Sequence, residues 1–138
     1  MAEQITVETV VNAPVEKFWE FFTDPKHIVQ WNNASPDWHT PSATNDLRVG
    51  GKFNSRMEAR DGSAGFDFSG TYDEVVAHER IAYTMDDGRK VEETFVPEGA
   101  GTKVVVVFDS ETENPPEMQR SGWQSILDNF KSYTEKQM

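Results

Sequence analysis

A chain of 138 residues holds one hydrophobic core and is too short for two, so a single domain over residues 1–138 is expected. Its 24 acidic against 13 basic residues leave a formal charge of -11, which repels phosphate backbones and anionic headgroups and sets nucleic acid and membrane surfaces aside as partners. Without cysteine there is no disulfide, thiolate metal site or cysteine nucleophile, a composition compatible with a reducing compartment.

From Met1 to Val11 the chain reads as a strand, with Ile5, Val7 and Val11 on one face. It does not read as a basic segment leading into an apolar one, and no run approaches the roughly 20 apolar residues of a membrane span. A cytoplasmic protein is expected. Pro14 suits a helix start, and Val15, Phe18, Trp19 and Phe22 follow at helical spacing as one apolar stripe. Asp24-Pro25 repeats the signal for a shorter helix carrying Ile28 and Trp31. Residues 32–51, rich in Asn, Ser, Thr, Pro and Gly, predict a long loop that holds Trp38 and Leu47. In it Asp46 and Arg48 are placed to pair, and Gly50-Gly51 to turn the chain into the next strand.

From Lys52 to Glu111 strands alternate with turn signals at Asp61-Gly62, Ala77-His78, Asp87-Gly88 and Glu98-Gly99, a meander of antiparallel hairpins. Asn114-Pro115-Pro116-Glu117 then predicts a helix capped by Asn114 and running to the terminus, with Met118, Gly122, Ile126, Phe130 and Tyr133 along a stripe that Trp123 and Leu127 widen. This order predicts an α+β fold: a curved antiparallel sheet of six or seven strands wrapped on a long C-terminal helix, with two short helices after the first strand.

That order, with Asn12-Ala13-Pro14-Val15-Glu16 ahead of the aromatic helix, resembles the START-like superfamily, also called SRPBCC or birch-pollen-allergen-like. Asp24-Pro25 leading to Trp31, Asp46-Leu47-Arg48-Val49-Gly50-Gly51-Lys52-Phe53, Gly70-Thr71-Tyr72-Asp73-Glu74-Val75 and Gly122-Trp123-Gln124-Ser125-Ile126-Leu127 resemble the bacterial activator of heat-shock protein 90 ATPase homologue-like family. The resemblance spans nearly the whole chain. It implies a helix-grip fold with a cavity between the sheet and the long helix; members include ligand carriers, polyketide cyclases and many bacterial proteins of unknown role. The eukaryotic co-chaperone for which the family is named has a further N-terminal domain without counterpart in these residues, so its activity is not implied.

Strand alternation assigns the inner face. Asp86-Asp87-Gly88 as a three-residue hairpin loop pairs Met85 with Arg89, Tyr83 with Val91 and Ile81 with Glu93. Tyr83, Ile81, Val91 and Phe95 then share a face with one acid, Glu93. Phe53, Ser55 and Met57 share another, as do Phe66, Phe68 and Tyr72. Trp123, Ile126, Leu127 and Phe130 of the long helix, with Phe22, Trp31 and Trp38 from the front, complete the candidate ligand-binding set. Such residues also serve simply to fill a core. Glu93 is either buried with a raised pKa, as base or ligand anchor, or turned to water by a one-residue change of register.

Asp37 and His39, flanking Trp38, form a second acid–base candidate, with mere solvation as the alternative on a loop. His27, His39 and His78 lie in separate elements without zinc-site spacing, so no metal or cofactor is expected. Three functions follow as expectations: noncatalytic binding of a small hydrophobic or aromatic molecule, cyclase-like or hydrolytic chemistry using the acid–base candidates, and a module that interacts with a chaperone.

Overall fold

The computed structural model describes residues 3–138. Strand β1 (Gln4–Val11) is followed by helices α1 (Val15–Thr23) and α2 (Pro25–Trp31). Pro14 is the extended residue ahead of α1, and the Asp24 carboxylate caps α2 by accepting the Lys26 N–H at 3.0 Å. Strands β2 (Trp38–Asn45), β3 (Lys52–Ala59), β4 (Gly65–Val76), β5 (Arg80–Met85), β6 (Lys90–Glu98) and β7 (Gly101–Asp109) come next, and α3 (Pro116–Lys136) ends the chain. All seven strands form one antiparallel sheet in the order β1-β7-β6-β5-β4-β3-β2, curled into a half-barrel with α3 in its grip. The fold is α+β, of the helix-grip kind.

Strand β2 lies within the segment expected to be a loop. It has the one partner β3, its register slips between His39 and Ser42, and Pro41 sits in that slip. Proline without an N–H is tolerated on an edge strand or at a bulge, and an edge strand with a largely exposed tip shows no apolar alternation. The turn that follows matches its expectation: Arg48 Nε is 3.0 Å from both Asp46 carboxylate oxygens, and Gly50 has φ of 81°. A Cβ on Gly51 would stand 2.1 Å from the Asp46 carbonyl oxygen, so only glycine fits there.

Helix α3 does not take Asn114 as its cap. Asn114 turns back to hydrogen-bond the Glu111 carboxylate, Pro115 precedes the first turn, and Gln119 ties the approach down by accepting the Glu111 N–H at 2.9 Å and donating to the Asn114 carbonyl at 2.7 Å. Two prolines leave few orphan N–H groups for a side-chain cap to satisfy. Farther along, α3 is strapped to β1: Gln124 donates to the Glu8 carbonyl at 3.1 Å, Lys131 to the Val10 carbonyl at 2.7 Å, and Glu135 accepts the Asn12 N–H at 2.8 Å.

The solid core therefore lies at the β1 end of the sheet. Ile5, Val7, Val11, Val104 and Phe108 face α1 and α3, and Phe18 of α1 is fully buried against the rings of Phe95 at 5.3 Å and Phe130 at 4.9 Å. Thr134 is also fully buried, and its hydroxyl has no hydrogen-bond partner among the described residues. An unsatisfied buried hydroxyl costs about 1–3 kcal/mol, so Thr134→Val is expected to stabilise the protein by about 1 kcal/mol, read as a raised urea midpoint at constant slope.

Candidate functional site

Because α3 is tied to the β1 edge, the concave face of β3, β4 and β5 is left partly uncovered. Between that face, α2 and α3 lies a cavity of about 930 Å³, ample for a drug-sized molecule. Phe53, Ser55 and Met57 of β3, Phe68 and Tyr72 of β4 and Tyr83 of β5 form its floor. Trp123, Ile126 and Leu127 form the α3 wall, while Phe22, Trp31 and Trp38 close the front. Trp31 is fixed by donating its Nε1–H to the Phe21 carbonyl at 3.0 Å and by stacking on Phe22 at 5.3 Å. Phe53 packs edge-on to Tyr83 at 4.8 Å, and Trp123 stacks flat on Phe108 at 4.0 Å. These rings are held before any ligand arrives.

Glu93 sits among them. The β5–β6 hairpin has the expected register: Gly88 has φ of 95°, the Met85 N–H donates to the Arg89 carbonyl at 2.8 Å, and Tyr83 pairs with Val91 and Ile81 with Glu93. The side chain thus points inward between Val91 and Phe95, is 8% exposed, and lines the cavity. Among the described residues no group hydrogen-bonds or ion-pairs with it, and burial alone pushes its carboxyl up to about 8. Tyr72 and Tyr83 lie near: burial raises the pKa of both phenols, and the Glu93 charge raises them further. The Tyr72 hydroxyl donates to Asn45 Oδ1 at 2.5 Å, and the Asn45 amide donates to the Thr23 carbonyl at 2.7 Å. A polar cluster thereby lies inside an otherwise aromatic cavity.

Two of the aromatic candidates lie elsewhere. Phe95 and Phe130 do not line the cavity but pack around Phe18 and Phe22 in the solid core. Both do face inward, as alternation and helical spacing require, yet one inner face serves core and cavity at different points along the sheet. Phe66 lines the rim and is 48% exposed, its ring tilted against that of Trp38 at 5.9 Å. Asp37 and His39 lie outside the cavity: Asp37 is exposed, and His39 turns to the outer side of β2, its Nε2 3.9 Å from Glu58. No group of three His, Cys, Asp or Glu side chains among the described residues is placed to hold a metal ion. No helix among them is long and apolar enough to cross a membrane.

Sequence reasoning missed Asn45, whose signal was hidden because its segment reads as a loop. It also missed the rim. Asp86, Asp87 and Arg89 stand there on the β5–β6 hairpin tip, where no alternation signal marks lining residues, with Asp67 of β4, on the outward phase of its strand, and Gln119 of α3.

The family model described as activator of Hsp90 ATPase homolog 1-like protein matches residues 12–135. The chain belongs to this family. Its fold and motifs place it within the START-like superfamily. Among solved structures, an activator of Hsp90 ATPase homologue 1-like protein from Aeromonas hydrophila is 47% identical at a TM-score of 0.91, over 98% of this chain and 94% of that one. The protein Chr148 from Cytophaga hutchinsonii is 51% identical at a TM-score of 0.84, over 97% and 93% of the two chains. The protein CV1439 from Chromobacterium violaceum is 27% identical at a TM-score of 0.83, over 96% and 98%. None of the curated proteins matches the chain. Family membership accounts for the helix-grip frame, and the side chains described above give this member's cavity its own chemistry.

Proposed function

We propose that this family member binds a small hydrophobic or aromatic molecule in the cavity between the sheet and α3, without converting it. The observation that carries the reading is a cavity of about 930 Å³ walled by aromatic rings that neighbouring rings and hydrogen bonds already hold in place. Packed protein interiors leave few voids larger than a water molecule, so an open volume of this size in a domain of 138 residues is a feature to be explained.

Gly122 supports the same reading. It lies within α3 on the cavity wall, and a Cβ built on it meets nothing within 4 Å. Glycine inside a helix costs about 1 kcal/mol against alanine, yet here it keeps a cavity wall low. Gly122→Leu is therefore expected to keep or raise the melting temperature while weakening ligand binding at least tenfold, by filling the space beside Trp123. The ligand itself is sought by native mass spectrometry of protein purified from its own host, before and after denaturation, with a reproducible mass lost on unfolding as the expected result. A folded Gly122→Leu variant that retains the same mass at the same occupancy would sink the cavity reading.

One observation favours a second reading, acid–base catalysis. A carboxyl pushed up to about 8 in a shielded pocket is matched to proton transfer near neutral pH. Turnover abolished in Glu93→Gln with ligand affinity retained is the result that would select it.

A further inference from the structure

Resting on the cavity reading, we infer that the ligand is an organic cation, an amine on an aromatic or aliphatic body, with its ammonium group held at Glu93 beside the hydroxyls of Tyr72 and Tyr83. A buried glutamate is ordinarily paired with Lys or Arg or satisfied by N–H donors, because an isolated carboxylate loses its hydration without return. Glu93 is 8% exposed, faces the cavity, and has no such partner among the described residues. Within the fold it is left to hold a proton, and a charge that would ionise it has to come from outside.

The rest of the lining selects the sign of that charge. Asp67, Asp86, Asp87 and Glu111 join Glu93 on the wall and rim, and among the described lining residues Arg89 is the one basic side chain. Arg89 is already engaged, its Nε 2.8 Å from an Asp87 carboxylate oxygen at the hairpin tip. An incoming carboxylate or phosphate meets like charge at the rim and finds no cation to pair with at the floor, whereas a cation is drawn inward by the rim acids and can ionise Glu93 once inside. The aromatic faces of Phe53, Phe68 and Trp123 offer further attraction to an ammonium or its flanking methylenes.

The polar cluster also has the right hydrogen-bonding sense. The Tyr72 hydroxyl gives its proton to Asn45, which leaves its oxygen free to accept from the cavity side. Ser55 and Tyr83, each 6% exposed, line the cavity, and their hydroxyls have no protein partner among the described residues. A primary ammonium brings three N–H donors and no acceptor, and it finds a carboxylate and hydroxyl oxygens here. A neutral alcohol uses one of these sites and forgoes the charge.

The arrangement couples binding to a proton. Facing Glu93 are Tyr72 from β4 and Tyr83 from β5; Val106 of β7, the lining residues of β2 and β3, and those of α1, α2 and α3 carry no titratable side chain. With its carboxyl pushed up to about 8, unliganded Glu93 is largely protonated at neutral pH, and a bound ammonium ionises it. The proton leaves to solvent, so affinity strengthens as pH rises, by up to about tenfold per unit.

The test uses three probes with one body: 4-phenylbutylamine, 4-phenylbutanol and 4-phenylbutanoate, titrated calorimetrically into the full chain and its Glu93→Gln variant at pH 6 and pH 8. The amine is expected to bind about tenfold or more tighter than the alcohol at pH 8, more weakly at pH 6, with proton release seen as buffer-dependent heat; the carboxylate is expected to bind weakest. Glu93→Gln should bring the amine to the level of the alcohol, with a circular dichroism spectrum and a cooperative urea transition like the native protein's showing that the variant is folded. Equal binding of amine and alcohol by the native protein, or an amine affinity indifferent to Glu93→Gln, overturns the cation assignment while the cavity reading stands. Binding of none of the three overturns both.

Discussion

Between pH 5 and pH 8.5 the unliganded protein is expected to lose about 4 kcal/mol of stability through Glu93 alone, and Glu93→Gln is expected to remove that loss. The carboxyl has an ordinary value of 4.5 and about 8 when folded, raised by burial. A group whose pKa is raised on folding binds its proton more tightly in the native state. Its contribution is therefore fully present below about 4.5 and drains away as pH climbs towards 8, at about 1.4 kcal/mol per unit. Asp61 and Glu135, whose pKa values are lowered by hydrogen bonds to Ser63 and Lys131, and Asp87, where burial raises the pKa but the bonds and charge of Arg89 together outweigh it, act in the opposite sense, but below the ordinary carboxylate range, so the two windows do not overlap. Urea unfolding of both proteins at pH 5 and 8.5 measures the difference; the background of general charge repulsion cancels in the comparison. Parallel pH profiles for native and variant proteins would mean that Glu93 is hydrated or paired in solution.

The largest loss from a single truncation is expected at Phe18. Its ring is fully buried and touches Phe22 at 5.5 Å as well as Phe95 and Phe130, so α1, β6 and α3 meet on it. Phe18→Ala removes the transfer energy of the ring and leaves a void that three aromatic neighbours fill poorly, a cost of about 3–5 kcal/mol. Against a typical total of about 5–15 kcal/mol, the variant should be marginal at 37 °C. Phe68→Ala provides the contrast. Phe68 is half-buried and already borders open volume, so its truncation enlarges a cavity rather than creating one, and the loss should be markedly smaller. Equal losses at the two positions would argue that the cavity is closed by repacking in solution.

Much of the site was legible because local chemistry fixed it. Gly88 in a left-handed conformation sets the hairpin loop, the loop sets the register, and a period of two then places Tyr83, Val91 and Glu93 on the inner face. Helical spacing likewise brings Trp123, Ile126 and Leu127 inward, and motifs from Asn12 to Leu127 carry the resemblance to the family. Side-chain periodicity has no means, however, of separating an inward residue that touches protein from one that touches space. Phe95 and Phe130 fell on the wrong side of that division, and Asp37 with His39 fell outside the site.

The sequence by itself determined which faces turn inward, that aromatic rings dominate them, and that one acid stands among them, since each follows from turn chemistry and the fixed repeats of strand and helix. Tertiary structure alone decided that the inner face is solid at one end and hollow at the other. That outcome depends on where α3 is anchored, through Gln124, Lys131 and Glu135 to the β1 edge, and such contacts join residues more than a hundred positions apart, beyond the reach of any local pattern. It also decided that β2 pairs as an edge strand and carries Asn45 to Tyr72, because an edge strand draws its order from its neighbour's backbone more than from its own side chains.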